Sequence, residues 1–285
     1  MTSILWRTAL HLSALAVLST TVPAASFAAD EAPALTTFNF QTIASRNTSF
    51  DRAAFVYPAG TAANAGKVNT DVGDVRLDGV VINGTTYGQA QLQLATAVKI
   101  VKDDAVDATR GGGNLTTGYG IGADKDNWVG QGVGSTTPTP ANLKDALANF
   151  NLTSIIPVRE NIGTTVYEVS FERPTDTVLL WERGNSGDVL VEAIDARGAV
   201  IGSTLVLDGA NDGGKPSTYK GTGIIVTTYV KDDFLNQGQE LATVGLRAGE
   251  PVNTFRLTAL QQAEGPNAVR YNGPDLKVLA LSPRQ

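Results

Sequence analysis

The sequence predicts an all-β protein, an antiparallel β-sandwich or jelly roll with about ten strands and one short helix near residues 140–150. Three observations predict it. Short runs of apolar and β-branched residues recur along the chain. Glycine, asparagine and aspartate interrupt these runs at short spacing, which is typical of antiparallel strands joined by turns. Only one stretch has the spacing of an amphipathic helix.

The first 28 residues have the pattern of a secretory signal peptide. Arg7 gives a positive start, residues 10–22 are apolar and uncharged, and Ser26-Phe27-Ala28 is a small-x-small cleavage site. The apolar run is too short for a membrane anchor. We therefore expect residues 1–28 to be removed and residues 29–285 to form a single secreted domain with no membrane span.

The composition of the expected mature chain excludes several classes of chemistry. The chain has no cysteine, and its only histidine and only methionine, His11 and Met1, precede the expected cleavage site. Ser-His-Asp and Cys-His catalysis and zinc sites built from Cys and His are therefore excluded. A hard cation held by oxygen atoms is the remaining metal chemistry. The net charge of −6 argues against nucleic acid and anionic membranes as partners.

The first half of the chain contains several strand patterns. Residues 36–41 alternate as a strand does, and residues 44–74 are rich in Ala, Gly and Asn and are predicted to be mostly loop. Val75–Ile82 is predicted to be a strand, and the Asn83-Gly84 dipeptide that follows favours a tight hairpin. Residues 91–102 have apolar side chains at every second position, which predicts a long strand with one buried face.

A glycine-rich insertion and a helix separate the two halves. Residues 103–139 contain nine glycines between Gly111 and Gly134 and are predicted to be a long loop. Thr139 can cap a helix, and Pro140 suits its first position. One apolar face follows, formed by Leu143, Ala146, Leu147 and Phe150. Three apolar residues beyond it are expected to fill the core, namely Leu152, Ile155 and Ile156.

The second half has the clearest strand pattern, a predicted meander within residues 176–207. Residues 177–182, 188–194 and 199–207 are its strands. The breaks at residues 183–187 and 195–198 hold Gly, Asn and Asp, which supply the positive φ of tight hairpins. Further strands are predicted at residues 164–172, 223–230, 241–246, 255–260 and 276–281.

Two motifs resemble a family of secreted bacterial proteins. Trp-Glu-Arg-Gly-Asn-Ser-Gly-Asp at residues 181–188 and Tyr-Asn-Gly-Pro-Asp-Leu-Lys-Val at residues 271–278 are similar to segments of the exosortase-dependent surface proteins. Leu-Thr-Ser-Ile-Ile at residues 152–156 resembles the segment before the first motif. The resemblance spans residues 151–281 and implies a surface domain that is extracellular or periplasmic in a Gram-negative bacterium. It implies no catalytic activity.

Many members of that family end in a Pro-Glu-Pro motif, an apolar helix and a basic tail. Here the last predicted strand is followed by Ser282-Pro283-Arg284-Gln285, without this sorting signal. The resemblance thus implies the domain and not the anchor, and we expect a soluble product.

The first motif suggests a ligand site. Trp181, Glu182, Arg183 and Asn185 together offer an aromatic platform, a charge pair and an amide that could read sugar hydroxyls. Adjacent residues of a strand point to opposite faces, however, so Trp181 and Arg183 share one face and Glu182 takes the other. The favoured interpretation is structural, with Trp181 in the core and Arg183 paired with an acid near the turn.

Acidic residues near the predicted turns suggest a structural Ca²⁺. Asp188, Asp208, Asp212 and Asp275 could supply oxygen ligands, as could Asn185 and Asn211. Their spacing matches no EF-hand, and Asp/Asn/Gly loops are also typical of ordinary turns, which is the favoured interpretation.

Two enzymatic patterns are weaker. Gly118-Tyr119-Gly120-Ile121-Gly122-Ala123 matches a dinucleotide-binding string by letters but lacks the flanking strand and helix. Glu168 and Glu172 could serve a glycosidase, although they are expected to form the solvated face of a strand.

We therefore expect a non-enzymatic surface or extracellular-matrix protein. A carbohydrate-binding module for exopolysaccharide is the alternative, and a polysaccharide hydrolase or lyase is the weakest hypothesis.

Overall fold

The computed structural model describes residues 34–46, 75–103, 139–158, 164–210, 216–226, 228–230, 234–235, 239–259 and 273–283. All of them belong to one compact unit, residues 31–285. The predicted signal peptide and most of the predicted glycine-rich insertion lie outside the described residues, as do Asp212 and residues 47–74 of the predicted loop.

The predicted all-β class is confirmed. The described residues form one α-helix, one 3-10 turn at Gln89–Gln91 and strands that pair antiparallel in sheets of ten, three and two strands. The helix, α1, spans Pro140–Leu147. The strands are β1 (Thr36–Phe38), β2 (Gln41–Arg46), β3 (Val75–Ile82), β4 (Thr85–Gly88), β5 (Leu92–Gln93), β6 (Ala95–Asp103), β7 (Ile156–Pro157), β8 (Thr165–Arg183), β9 (Val189–Ile194), β10 (Val200–Leu207), β11 (Lys220–Val226), β12 (Tyr229–Val230), β13 (Phe234–Leu235), β14 (Gln239–Ala259) and β15 (Asp275–Leu281).

Two long strands, β8 and β14, organise the ten-stranded sheet. They pair antiparallel at both ends, and the register is interrupted between Arg247 and Thr254 of β14. The first half of β8 also pairs with β6, whereas its second half pairs with β15. The two strands thus bend together, and the sheet folds into two halves that face each other as a sandwich.

Two apolar clusters stabilise the unit. The larger cluster takes side chains from both halves of β8, such as Val169 and Leu180, and from α1. The smaller cluster joins Leu179 and Trp181, on the opposite face of β8, to Leu77 of β3. The three-stranded sheet of β2, β3 and β4 therefore covers the outer face of one half of the sandwich.

Local signals set the helix as predicted. Thr139 is the N-cap, and its hydroxyl accepts a hydrogen bond from the backbone N–H of Asn142 at 3.2 Å. At the other end, the Nζ of Lys277 on β15 donates to the carbonyl of Ala146 at 2.9 Å and to Oδ1 of Asn149 at 2.8 Å. Lys277 is fully buried, and burial lowers the pKa of its amine well below the ordinary value. A basic side chain thus satisfies a carbonyl in the last helical turn.

The predicted meander is wrong at its first turn. β9 pairs with β10 and β14, and β14 separates it from β8. The break at residues 183–187 is therefore a crossing between the two halves of the sandwich, although Gly184 and Asn185 have the predicted positive φ, 101° and 54°. The second break is the predicted hairpin, with Gly198 at a φ of 85°.

Several predicted strand boundaries also differ. The predicted strands at residues 164–172 and 177–182 are parts of the single strand β8, which begins at Thr165. Residues 241–246 and 255–259 likewise belong to β14, because each strand continues through the shared bend. Residues 91–102 divide instead into β5 and β6, which pair with different strands. Residues 44–46, predicted as loop, extend β2.

Candidate functional site

Three chain segments meet beside the crossing between β8 and β9, and we call residues 181–188, 208–210 and 273–275 the turn cluster. The N–H of Ala210 donates to the carbonyl of Asn185 at 2.6 Å. The N–H of Gly209 donates to Oδ1 of Asp188, also at 2.6 Å. Hydrogen bonds within the protein therefore join the segment after β10 to the crossing.

Two glycines allow the backbones of the turn cluster to approach closely. A Cβ on Gly187 would lie 2.3 Å from the Cα of Pro274, and a Cβ on Gly209 would lie 2.3 Å from the carbonyl carbon of Ser186. Both distances are far shorter than a carbon–carbon contact. Glycine at these two positions is thus required for the three segments to meet.

Glu182 lies inside this cluster with no exposed surface. Its carboxylate accepts hydrogen bonds from the backbone N–H groups of Ser186 at 3.1 Å and Gly187 at 3.3 Å, and from that of Asp275. Burial raises the pKa of Glu182 well above its ordinary value, and the negative charge of Asp275 adds to the rise. The three N–H groups act in the opposite direction, but burial dominates.

Arg183 and Asp275 form a buried ion pair at 3.3 Å. The residues are only 3% and 8% exposed. The guanidinium also donates to the side-chain oxygen of Gln239 on β14. Arg183 thus pairs with an acid near the turn, which is the structural interpretation of the motif.

Trp181 packs against the three-stranded sheet and is fully buried. Its ring meets Phe40 edge to face at a centroid distance of 5.1 Å, and its indole N–H donates to the hydroxyl of Thr42 at 2.9 Å. Tryptophan in this position offers no surface to a sugar. The predicted core position of Trp181 is confirmed.

The other residues predicted to bind a sugar or a metal ion differ in burial and in hydrogen bonding. Asn185 is half-buried, and its Oδ1 accepts a hydrogen bond from the hydroxyl of Ser217 at 2.6 Å. Asp208 is half-buried at the end of β10. Asp188 contacts Gly209 and Asp275 contacts Arg183, as described above. Among the described residues, no group of three or more acidic side chains is placed to hold a metal ion. The Ca²⁺ hypothesis stays a prediction, since Asp212 is not described.

Two buried tyrosines of this region were not found by sequence reasoning. The hydroxyls of Tyr167 and Tyr219 have no hydrogen-bond partner in the part of the chain that the structure describes. Burial raises the pKa of both phenols. The negative charge of Asp275 raises the pKa of Tyr167 further, and that of Glu182 does the same for Tyr219. The predicted strand at residues 164–172 contains Tyr167, but no local pattern places either tyrosine beside these acids, because β8 and the segment after β10 meet only through the fold.

A second polar region is open to solvent, and we call it the bend groove. It is a cavity of about 490 Å³ between the β3–β4 hairpin and the bend of β8 and β14. Asn83, Thr85 and Tyr87 line it from the hairpin, Asp176 from β8 and Arg247 from β14. Sequence reasoning predicted the hairpin but not the groove, since the bend that forms its other wall is nonlocal.

The two carboxylates considered for a glycosidase have different surroundings. Glu168 bonds to Arg256 at 2.7 Å and to Lys99 at 3.3 Å and is 7% exposed, so the prediction of a solvated position is wrong for it. Burial acts to raise its pKa, but the bonds from the two cations outweigh burial, so the pKa is lowered. Glu172 is exposed as predicted.

Comparison with known proteins finds no relative. No family model, no curated protein and no solved structure matches the chain. The resemblance to exosortase-dependent surface proteins therefore stays a prediction. No helix of the described residues is long and apolar enough to cross a membrane.

Proposed function

We propose that this chain is a secreted, non-enzymatic β-sandwich protein of the bacterial surface or extracellular matrix, with extracellular polysaccharide as its partner. The observation that carries the proposal is the burial of the motif Trp-Glu-Arg. Trp181, Glu182 and Arg183 all lie within the protein and contact other parts of it. A charged motif whose side chains are all buried supports a structural role better than a catalytic one.

Three buried acidic groups that could serve catalysis are engaged in the fold. Glu182 accepts from backbone N–H groups, Asp275 pairs with Arg183, and Glu168 pairs with Arg256. The expected mature chain contains neither histidine nor cysteine, the usual general base and thiol nucleophile. These observations favour a scaffold role over a hydrolase or lyase.

Location and processing test the proposal directly. The full chain is expressed with a C-terminal tag in a Gram-negative host, and the mature N-terminus is sequenced in the periplasmic and extracellular fractions. We expect Ala29 as the first residue, and retention with matrix polysaccharide until the polysaccharide is degraded. Ala28→Arg is the matched control, because an arginine does not fit the small-residue cleavage site.

Two results would overturn parts of this proposal. Protein that stays in the cytoplasm with Met1 intact would overturn secretion. Turnover of a polysaccharide by the purified protein would overturn the non-enzymatic role.

A further inference from the structure

We infer that the bend groove is a saccharide-binding site that recognises sugar hydroxyls. The inference rests on the proposed function, because it places the contact with extracellular polysaccharide on a specific surface. This surface lies apart from the Trp-Glu-Arg motif, whose side chains are buried.

The groove combines the groups that sugars require. Tyr87 is half-buried and supplies an aromatic ring with a phenolic hydroxyl, a side chain that is apolar on its face and polar at its tip. Asn83 and Thr85 can each donate and accept hydrogen bonds, as a sugar hydroxyl can. Arg247 adds several donors and Asp176 adds acceptors.

Most of these polar groups are not engaged by the protein. Within the described part of the chain, the side chains of Asn83, Thr85 and Tyr87 form no hydrogen bond to other residues. The guanidinium of Arg247 forms neither a hydrogen bond nor an ion pair there, and it lies over the ring of Phe38, 5.7 Å from the centroid. Asp176 accepts a single hydrogen bond, from the hydroxyl of Thr177 at 2.7 Å.

The walls of the groove are preformed. The β3–β4 hairpin turns through Asn83 and Gly84, with φ of 50° and 79°, and Tyr87 lies opposite Val80 in its register. The buried hydroxyl of Thr175 bonds to the carbonyls of Thr177 and Leu281, which fixes the wall formed by the bend. A preformed site reduces the entropy lost when a ligand binds.

Size and charge also favour a saccharide. A volume of about 490 Å³ is within the range of small-molecule sites. Arg247 and Asp176 carry opposite charges, so the groove selects neither anions nor cations by charge alone. A neutral sugar can use both groups, whereas a uronate would use mainly the guanidinium.

The test is a binding panel of neutral oligosaccharides and oligouronates, measured with the purified mature protein. We expect binding to at least one of the two classes, and a loss of affinity of about tenfold or more for Tyr87→Ala, since aromatic anchors dominate such sites. Tyr87→Phe, which keeps the ring, should retain most of the affinity. Tyr87 also packs against the smaller apolar cluster, so Tyr87→Ala should lower the melting temperature, whereas Tyr87→Phe should not. Affinities are therefore compared at a temperature at which circular dichroism shows every variant to be folded.

Arginine variants identify the class of sugar. Arg247→Gln should reduce binding of oligouronates more than binding of neutral oligosaccharides. Arg197→Gln, an exposed arginine on the β9–β10 hairpin, is the matched control and should change neither.

An absence of binding across the panel would overturn the site, as would equal affinity of the wild type and Tyr87→Ala. The proposed function fails separately: a blank panel with normal export and matrix retention overturns the groove alone, whereas failed export overturns the proposed function.

Discussion

Two glutamates on the same strand, Glu168 and Glu182 of β8, have opposite environments. Glu168 is buried between two cations with more exposed side chains, Arg256 and Lys99, and its pKa is lowered. Glu182 lies in the turn cluster among backbone N–H groups, and burial raises its pKa. Residue type and strand are the same, so the difference comes from the opposing elements.

The comparison indicates what the charged motif does. Arg183 neighbours Glu182 in sequence, yet it pairs with Asp275. The negative charge of Asp275 therefore acts on Glu182 and raises its pKa further, after burial. Charges at this end of the sandwich join segments of the fold, whereas those of the bend groove are exposed to solvent.

The largest expected effect is the loss of stability when the buried Trp181 is truncated. Trp181→Ala removes a fully buried ring and its bond to Thr42, so we expect a loss of about 3–5 kcal/mol in the free energy of unfolding. Denaturant unfolding measures it. A loss below about 1 kcal/mol would contradict the packed position of Trp181.

The Arg183–Asp275 pair of the turn cluster and the Arg256–Glu168 pair should differ in what they contribute to stability, and one variant of each tests this. Arg183→Met leaves Asp275 without its cation, and we expect a loss of about 3 kcal/mol, near the lower end for buried pairs because the Asp275 side chain keeps 12% of its exposure. Arg256→Met is the control. It should cost less, because Lys99 still neutralises Glu168. Equal losses, measured by denaturant unfolding, would remove the distinction between the regions.

The pH dependence of stability sharpens the comparison. A raised pKa means that folded Glu182 binds a proton more tightly than the unfolded chain does. Its contribution is therefore fully present below the ordinary value of 4.5 and is lost as the pH rises above it. Glu168 acts in the opposite sense, and its contribution is lost as the pH falls through its lowered pKa. Glu182→Gln should flatten the decline at higher pH, and Glu168→Gln the decline in acid.

Unfolding curves collected across the acid and neutral range check both variants. A Glu182→Gln protein with the unchanged pH profile of the wild type would show that this carboxyl titrates normally.

The smallest expected effect is that of Ca²⁺. Asp188 and Asp208 lie at the ends of the segments that meet in the turn cluster, where a cation would reduce their repulsion. At a calcium concentration about ten times Kd, binding to the folded state alone contributes about 1.4 kcal/mol, which raises Tm by about 2–4 °C. Asp188→Asn should reduce the rise, and Glu172→Gln should not. Equal Tm values in calcium and in chelator would end the hypothesis.

The sequence predicts the local features of this fold well. The bounds of β3, its Asn83-Gly84 hairpin and the Thr139 cap of α1 each depend on a few neighbouring residues, and each is found as predicted. The pairing of Arg183 with an acid near the turn is also found.

Nonlocal features are not predicted. Nothing near residues 183–187 shows that β14 lies between β8 and β9, so the crossing resembles a hairpin turn. The surroundings of Glu182 include the backbone N–H of Asp275. The bend groove depends on Arg247 of one sheet and Tyr87 of another lining the same cavity. Periodicity identifies strands, but it does not specify which distant strands become neighbours.

Direct titration of the glutamate carboxyls by NMR tests the central claim, that the charged motif is buried within the fold. Carboxyl carbon shifts are followed with pH in the wild type and assigned with Glu182→Gln and Glu168→Gln. We predict that Glu182 titrates well above 4.5 and Glu168 below its ordinary value. A Glu182 carboxyl that titrates at or below 4.5 would contradict the account, because it would be either open to water or paired with a cation.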